Sequence, residues 1–503
     1  MSRKKYFLTG LASSYGLIGL NFLFTVLSVP LVLHYLTKED FGVWALVVQF
    51  TGYLLLLDMG VSASVSRLLA DHKDRKESPE YSQVFYSSFM ISAAQGLGLV
   101  TLGGLAAWIA PALANVPEYL RPTFSLLLLM QAVFTGISLA FRALASPLWS
   151  HQRLDVSNLG NGLGLLMNFL GLWLGLKMGW GLYGMVWGTA LGIVPGLIIP
   201  FLACRQSGYY PRWEGWHQIK NADFGGLFRF SRDIFMLQLG SQMASATQII
   251  VVSRFMSVES AATWAIATKV FTLGQQLCNR IMDASAGALT EMYVRSERQR
   301  LVARFGQLVE ITAWFSSVLG ILIVFLNSVF VFLWTGGRIV WPSQENIWLA
   351  LLLFSTSVAR SHLGMGGITK EMATLRWIQI AEALGMLAVA IFSVRFFGFS
   401  GVLAGSFFAS AGVTLVACQY LNSRMFGISF FRMVVWIVPS WIFLLAGCLL
   451  GWIVGSNLPP GSVLRENPWN HILLPAFVIL LSFRFCLRSE IRQEIFSRIF
   501  RRA

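Results

Sequence analysis

Charge is what this sequence lacks. Asp, Glu, Lys and Arg make up 12% of its 503 residues, against 56% hydrophobic ones, where a soluble domain carries about 25% charged residues. A chain of this length folding in water would expose far more surface than so few charges can cover. The deficit excludes a soluble globular protein, and it falls hardest on the acids, 23 against 38 Lys and Arg. Cysteine is scarce as well. Cys204, Cys278, Cys418, Cys448 and Cys486 sit singly in or beside apolar stretches, which excludes a disulfide framework or a cysteine metal pattern. No small-x-small cleavage site follows the short basic start Met1–Lys5, so the first apolar segment reads as a retained helix. No basic cluster stands on a soluble module, so the net charge of +15 does not indicate nucleic acid.

What the chain has is apolar length. A bilayer span needs roughly 20 apolar residues, and runs of that kind follow one another along the sequence. They predict about fourteen helices: 12–35, 41–58, 83–109, 121–145, 156–176, 182–203, 232–254, 260–288, 305–334, 346–368, 374–395, 400–421, 432–455 and 469–487. Eighteen Trp and 39 Phe suit lipid contact and aromatic belts. The 46 glycines permit close helix approach. Loop charges then orient the bundle. With these spans, 28 basic residues fall on the amino-terminal side and seven on the other, which makes the first side, with both termini, cytoplasmic. The outer loops are short, the longest about Ser456 to Asn470.

The chain also repeats at an offset of 220 residues. Glu39 falls on Glu259, Trp44 on Trp264, Ala45 on Ala265, Arg75 on Arg295 and Glu77 on Glu297. Six helices per unit, an even number, insert both units the same way, and parallel repeats build transporters with a site near the midplane between the halves. The expected organisation is an N-lobe over 1–204, an interfacial linker over 205–231, a C-lobe over 232–424, two further helices over 425–488 and a basic cytoplasmic tail over 489–503. Tyr209, Tyr210, Trp213, Trp216 and His217 give the linker the composition of a segment in the headgroup layer.

Ionisable groups inside a bilayer are costly and are functional candidates by default. Lys269 and Arg280 fall in the span 260–288 and Arg360 in 346–368. Lys269, Thr272, Gln276, Arg280 and Asp283 are spaced 3, 4, 4 and 3 apart. At about 100° per residue they form one polar stripe, with Lys269 and Arg280 about 20° apart. That stripe must face protein or a wet cavity. Paired cations there suit phosphate oxygens; the plainer alternative is local neutralisation of Arg280 by Asp283. Among the acids, Asp58 reads as part of a helix-ending turn. Glu291 and Glu310 read as solvated partners of nearby arginines at the cytoplasmic ends. Glu382, midway along its span, is the candidate for proton or sodium coupling. No metal site is expected.

Three stretches stand out: Tyr35 to Ala45 (YLTKEDFGVWA), Leu54 to Ala70 (LLLLDMGVSASVSRLLA, with Asp58, Gly60 and Arg67), and the set Pro147, Gln152, Arg153, Asp155 and Asn158. They resemble the Wzx-type polysaccharide flippases of the multidrug/oligosaccharidyl-lipid/polysaccharide (MOP) exporter superfamily. The resemblance implies an all-α, two-lobed MOP/MATE-like membrane fold and alternating access in the bacterial inner membrane. It implies a polyprenyl-pyrophosphate-linked oligosaccharide as substrate, flipped for O-antigen, lipopolysaccharide or exopolysaccharide assembly. No cofactor is implied; H+, Na+ or membrane potential would drive transport. The expected partners are the lipid-linked glycan, membrane lipid and a polysaccharide polymerase with its chain-length machinery, the protein itself acting as a monomer. Many relatives carry an acid where this chain has Thr247-Gln248, so no coupling role transfers to that position.

Two rivals stay in view. A MATE-like drug or cation antiporter has the same two six-helix halves, but without the extra pair and with an acidic cavity. A membrane-embedded polymerase, ligase or glycosyltransferase needs a sizeable outer loop or an outward-facing acidic pair. A channel has no filter-like segment to support it.

Overall fold

The computed structural model describes residues 3–58, 60–61, 65, 68–70, 78–151, 153–211, 224–369, 372–455 and 470–487. Arg67, Gln152, the linker residues Arg212, Trp213, Trp216, His217 and Lys220, the outer loop after Gly455 and the basic tail lie outside them.

Every described element is helical: α1 (Arg3–Tyr35), α2 (Lys38–Leu54), α3 (Pro79–Leu113), α4 (Arg121–Phe141), α5 (Leu154–Lys177), α6 (Leu182–Gln206), α7 (Phe224–Phe255), α8 (Val258–Ala267), α9 (Lys269–Val294), α10 (Arg298–Trp334), α11 (Glu345–Ile368), α12 (Met372–Ala409), α13 (Val416–Phe426), α14 (Phe430–Gly455) and α15 (Asn470–Cys486). Among the described residues eleven helices are long and apolar enough to cross a membrane, against the fourteen read from the sequence. Three ranges make the difference. The run Met372–Phe426 counts once, although Gly398, at φ 53°, bends it where the sequence predicts a break. The range 260–288 is divided into α8 and α9, whose polar stripe lowers its hydropathy. The described part of α15 is too short.

The chain divides into two compact units. One holds Met1–Gln238 and Ser257–Ala262, the other Leu239–Met256 and Thr263–Ala503.

Unit 1 is drawn together by glycine. A Cβ added at Gly164 would lie 2.4 Å from the Gly192 carbonyl oxygen, and one at Gly175 2.7 Å from Gly184 Cα, so α5 and α6 approach backbone to backbone. Asn158 Nδ2 donates to Ser13 and Ser14 hydroxyls at 3.0 and 2.9 Å, tying α5 to α1. Asp58 meets Arg142 at 3.3 Å, and its carbonyl accepts from Gln95 Nε2 at 3.1 Å. Gly60, at φ 72°, supplies the left-handed turn that follows.

The start of the linker is hydrogen-bonded onto unit 1. Tyr81 donates its hydroxyl to the Tyr209 carbonyl (2.8 Å), Tyr210 donates to the Leu144 carbonyl (2.9 Å), and the Tyr209 ring stacks on His151 at 3.9 Å. Aromatic residues that look interfacial by composition are here clamped onto the bundle, because its interior offers their hydroxyls and rings partners. Burial pushes the Tyr210 hydroxyl above the usual phenol range.

The repeat has a structural counterpart at its caps. Thr37 Oγ1 accepts the Asp40 N–H at 3.1 Å at the start of α2, and 220 residues on Ser257 Oγ accepts the Ser260 N–H at 3.0 Å at the start of α8.

Unit 2 is centred on α10 and α11, whose most apolar stretches are 61% and 67% buried, against 17% for α1. Phe305, Ala313, Phe354 and Leu444 share their core. α14 lies on α10, where a Cβ at Gly451 or Gly447 would strike Val324 or Ile321; Ser317 Oγ also donates to the Ser440 carbonyl at 2.9 Å. Trp314 Nε1 donates to Ser482 Oγ at 3.1 Å and secures α15.

Candidate functional site

α9 has two faces. Gly274, Cys278, Met282 and Leu289 are buried, with Met282 packed beside Gly364 of α11 and Gly274 beside Leu353. Thr272, Gln276, Arg280 and Asp283 are exposed and Lys269 is half-buried, so the predicted stripe stands on the side its own unit leaves uncovered. A face carrying these charges within a membrane protein requires water.

Arg360 joins the stripe from α11. Its Nη2 lies 3.7 Å from Asp283 Oδ1, both side chains being 45% exposed. Asp283 therefore does not neutralise Arg280, as the plainer reading supposed; the pair runs between helices. Neither Lys269 nor Arg280 makes an ion pair or hydrogen bond among the described residues. The face thus gathers three cations against one carboxylate, and two of the cations are uncommitted. A phosphate ester or acidic sugar has the charge and acceptor oxygens to use them.

Glu382 stands elsewhere in unit 2, on α12 before its bend, and is buried. Its Oε2 accepts from Gln379 Nε2 at 2.7 Å and from the Thr414 hydroxyl. Thr414 belongs to Ser410–Leu415, one turn of π-helix, a distortion frequent at functional sites. α7 closes against this place, since a Cβ at Gly240 would lie 2.7 Å from the Gln379 carbonyl carbon. Gln248 donates to Ser406 Oγ at 2.9 Å and to the Ala244 carbonyl; it serves to join α7 to α12.

Two other acids separate. Glu291 pairs with Arg295 at 2.6 Å, both more than half exposed, as expected. Glu310 is 3% exposed and so is not the solvated partner foreseen for it: it lies on α10 between buried Val309 and Thr312, on the side turned into the unit. His362, near Arg360 in sequence, is fully buried against the edge of Phe305 and does not belong to the polar face.

Sequence reading missed a buried amide set. Asn346 Oδ1 accepts from Asn327 Nδ2 (2.9 Å) and Trp341 Nε1 (3.0 Å), and Asn346 Nδ2 donates to Ser328 Oγ (2.8 Å). The available signal was two asparagines in or beside apolar spans, where an unpaired amide is costly.

The fold is that of the MOP-superfamily transporters. Over 98% of this chain and 99% of the other it matches a structure described as lipid II flippase MurJ in an inward closed conformation, with a TM-score of 0.67 at 14% identity. An inward-facing multidrug resistance MATE transporter of the MOP superfamily matches with a TM-score of 0.62 at 14% identity, covering 82% of this chain and 94% of that one. A MOP superfamily transporter from Pyrococcus furiosus, described as having reverse polarity of its binding pocket, matches with a TM-score of 0.57 at 15% identity, over 86% and 94%. No curated protein matches the sequence. The profile of the family described as polysaccharide biosynthesis protein matches residues 31–338, and the chain belongs to that family.

Proposed function

We propose that this protein flips a polyprenyl-pyrophosphate-linked oligosaccharide from the cytoplasmic to the outer leaflet of the bacterial inner membrane, by alternating access, for cell-surface polysaccharide assembly. The observation that carries this reading is the uncommitted Lys269–Arg280 face with Arg360 beside it. Membership of the polysaccharide biosynthesis family supports a glycan cargo, and the fold match to a lipid II flippase supports a lipid-linked one. The pyrophosphate head meets the cations while the polyprenyl tail stays in the bilayer, so no charge crosses hydrocarbon unpaired. O-antigen, lipopolysaccharide and exopolysaccharide repeat units all have this chemistry, and a polymerase with its chain-length machinery would consume the product. Glu382, with Gln379 and Thr414, is the proposed coupling site for H+ or Na+. The 28-to-seven distribution of basic loop residues supports cytoplasmic termini.

The antiporter reading requires a site that attracts cations, and the α9 face repels them. Deleting the gene separates the two. Flipping predicts lipid-linked repeat units held facing the cytoplasm and less surface polysaccharide. Normal polysaccharide with raised drug sensitivity would instead establish the antiporter.

A further inference from the structure

α8 and α9 are one helix by sequence and two in the structure. The interruption is Thr268, at φ −85° and ψ 2°, where a helix has ψ near −42°. Lys269 is the first residue beyond it. Two threonine hydroxyls bond back across the joint: Thr268 Oγ1 donates to the Trp264 carbonyl (2.7 Å) and Thr272 Oγ1 to the Thr268 carbonyl (2.9 Å), a pattern that bends helices.

The buried amide set reaches the same joint. Asn327 Nδ2 donates to Asn346 and also to the carbonyl of Ala267, the last residue of α8, at 3.2 Å. Asn327 is 1% exposed and Asn346 0%, so each amide was desolvated to make these bonds and each lost bond leaves an unsatisfied group. The joint is therefore held by a rigid, largely satisfied anchor on α10 and α11.

The direction of Lys269 depends on that joint. In an unbroken helix, residue 269 continues the row Ala262 and Ile266, at i, i+4 and i+7 on one face, and both of those are 0% exposed. Lys269 is instead half-buried. We infer that Asn327, braced by Asn346, is a positioning residue that holds the break before Lys269 and turns the lysine out of the buried row toward the polar stripe. The inference rests on the proposed anion-binding role of Lys269 for its functional meaning, and on the hydrogen bonds alone for its geometry.

Cysteine labelling tests it in native membranes. The five native cysteines are buried, so unsubstituted protein gives the baseline for a water-soluble methanethiosulfonate ammonium reagent. Lys269→Cys is labelled with and without Asn327→Leu, and Thr290→Cys, exposed on the same helix, is the control. The expected result is a fall of roughly tenfold or more at position 269, because a thiol turned into the buried row loses water and thiolate character, with labelling at 290 unchanged. An unchanged rate at 269 overturns the inference. So does an equal fall at both positions, since the amides then support the bundle as a whole. If Asn327→Leu does not reach the membrane, the smaller Asn327→Ala, which removes the amide without adding bulk or charge, carries the same comparison. Lys269→Ala, assayed alone for surface polysaccharide, keeps the two readings apart. Normal polysaccharide removes the anion role and leaves the labelling result standing; lost polysaccharide with unchanged labelling removes only the positioning.

Discussion

Asp283 on α9 reaches across to Arg360 on α11, with Oδ1 and Nη2 3.7 Å apart, and leaves Arg280, three residues along its own helix, without a carboxylate. The pairing follows from helix geometry: residues three apart are neighbours on a helix surface, but an arginine arriving from a packed helix can take the same carboxylate. The consequence is a face whose positive charge is only partly compensated.

An exposed ion pair of this kind contributes about 1 kcal/mol or less to stability. Asp283→Asn should therefore leave the thermal unfolding midpoint of the purified protein nearly unchanged while altering transport, because Arg360 loses its counter-charge. A large drop in the midpoint with unaltered transport would assign the pair a structural role.

Lys269→Ala and Arg280→Ala should each abolish polysaccharide export and leave membrane abundance intact, since neither side chain supports a neighbour. Arginine at 269 should retain partial activity through its charge. The decisive measurement is export by the double alanine variant in a deletion strain; normal export there would end the anion-binding reading.

Glu382→Gln should keep the protein in the membrane and make transport insensitive to the ion gradient. Glu382→Ala leaves the Gln379 amide and Thr414 hydroxyl without their acceptor, a loss of about 1–3 kcal/mol, and should lower the unfolding midpoint as well. Vesicle transport with imposed proton or sodium gradients reads the first effect. Unchanged gradient dependence in Glu382→Gln would place coupling elsewhere.

Gly164→Ala should destabilise by roughly 1–3 kcal/mol, because its new methyl would lie 2.4 Å from the Gly192 carbonyl and α5 would have to leave α6. Gly98→Ala, on α3 with nothing within 4 Å, should be neutral or stabilising by up to about 1 kcal/mol through helix propensity. Unfolding of the two variants side by side tests whether close approach, rather than glycine content, accounts for the tight packing of α5 on α6. Equal midpoints would refute it.

Much of this molecule was legible in advance. Helix positions follow from apolar length, a local property, and the stripe from spacing along one helix, so Thr272, Gln276, Arg280 and Asp283 do share an exposed face. The caps at Thr37 and Ser257 stand 220 residues apart, at the offset the repeat sets. What escaped reading were partners brought by other helices. Tyr209 and Tyr210 have the composition of interfacial residues, yet their contacts are with Tyr81, His151 and Leu144. Glu310 lies beside arginines in sequence, but its helix turns it inward.

By itself the sequence determined that the chain is a membrane bundle, where its helices run, and that a cationic stripe lies on one of them, because apolar length and helical period need no knowledge of neighbours. Only the tertiary structure decided which cations are spoken for, that the stripe's helix breaks at Thr268, and that Asn327 reaches the break. Those facts depend on distances between segments far apart along the chain, and such distances are set by packing.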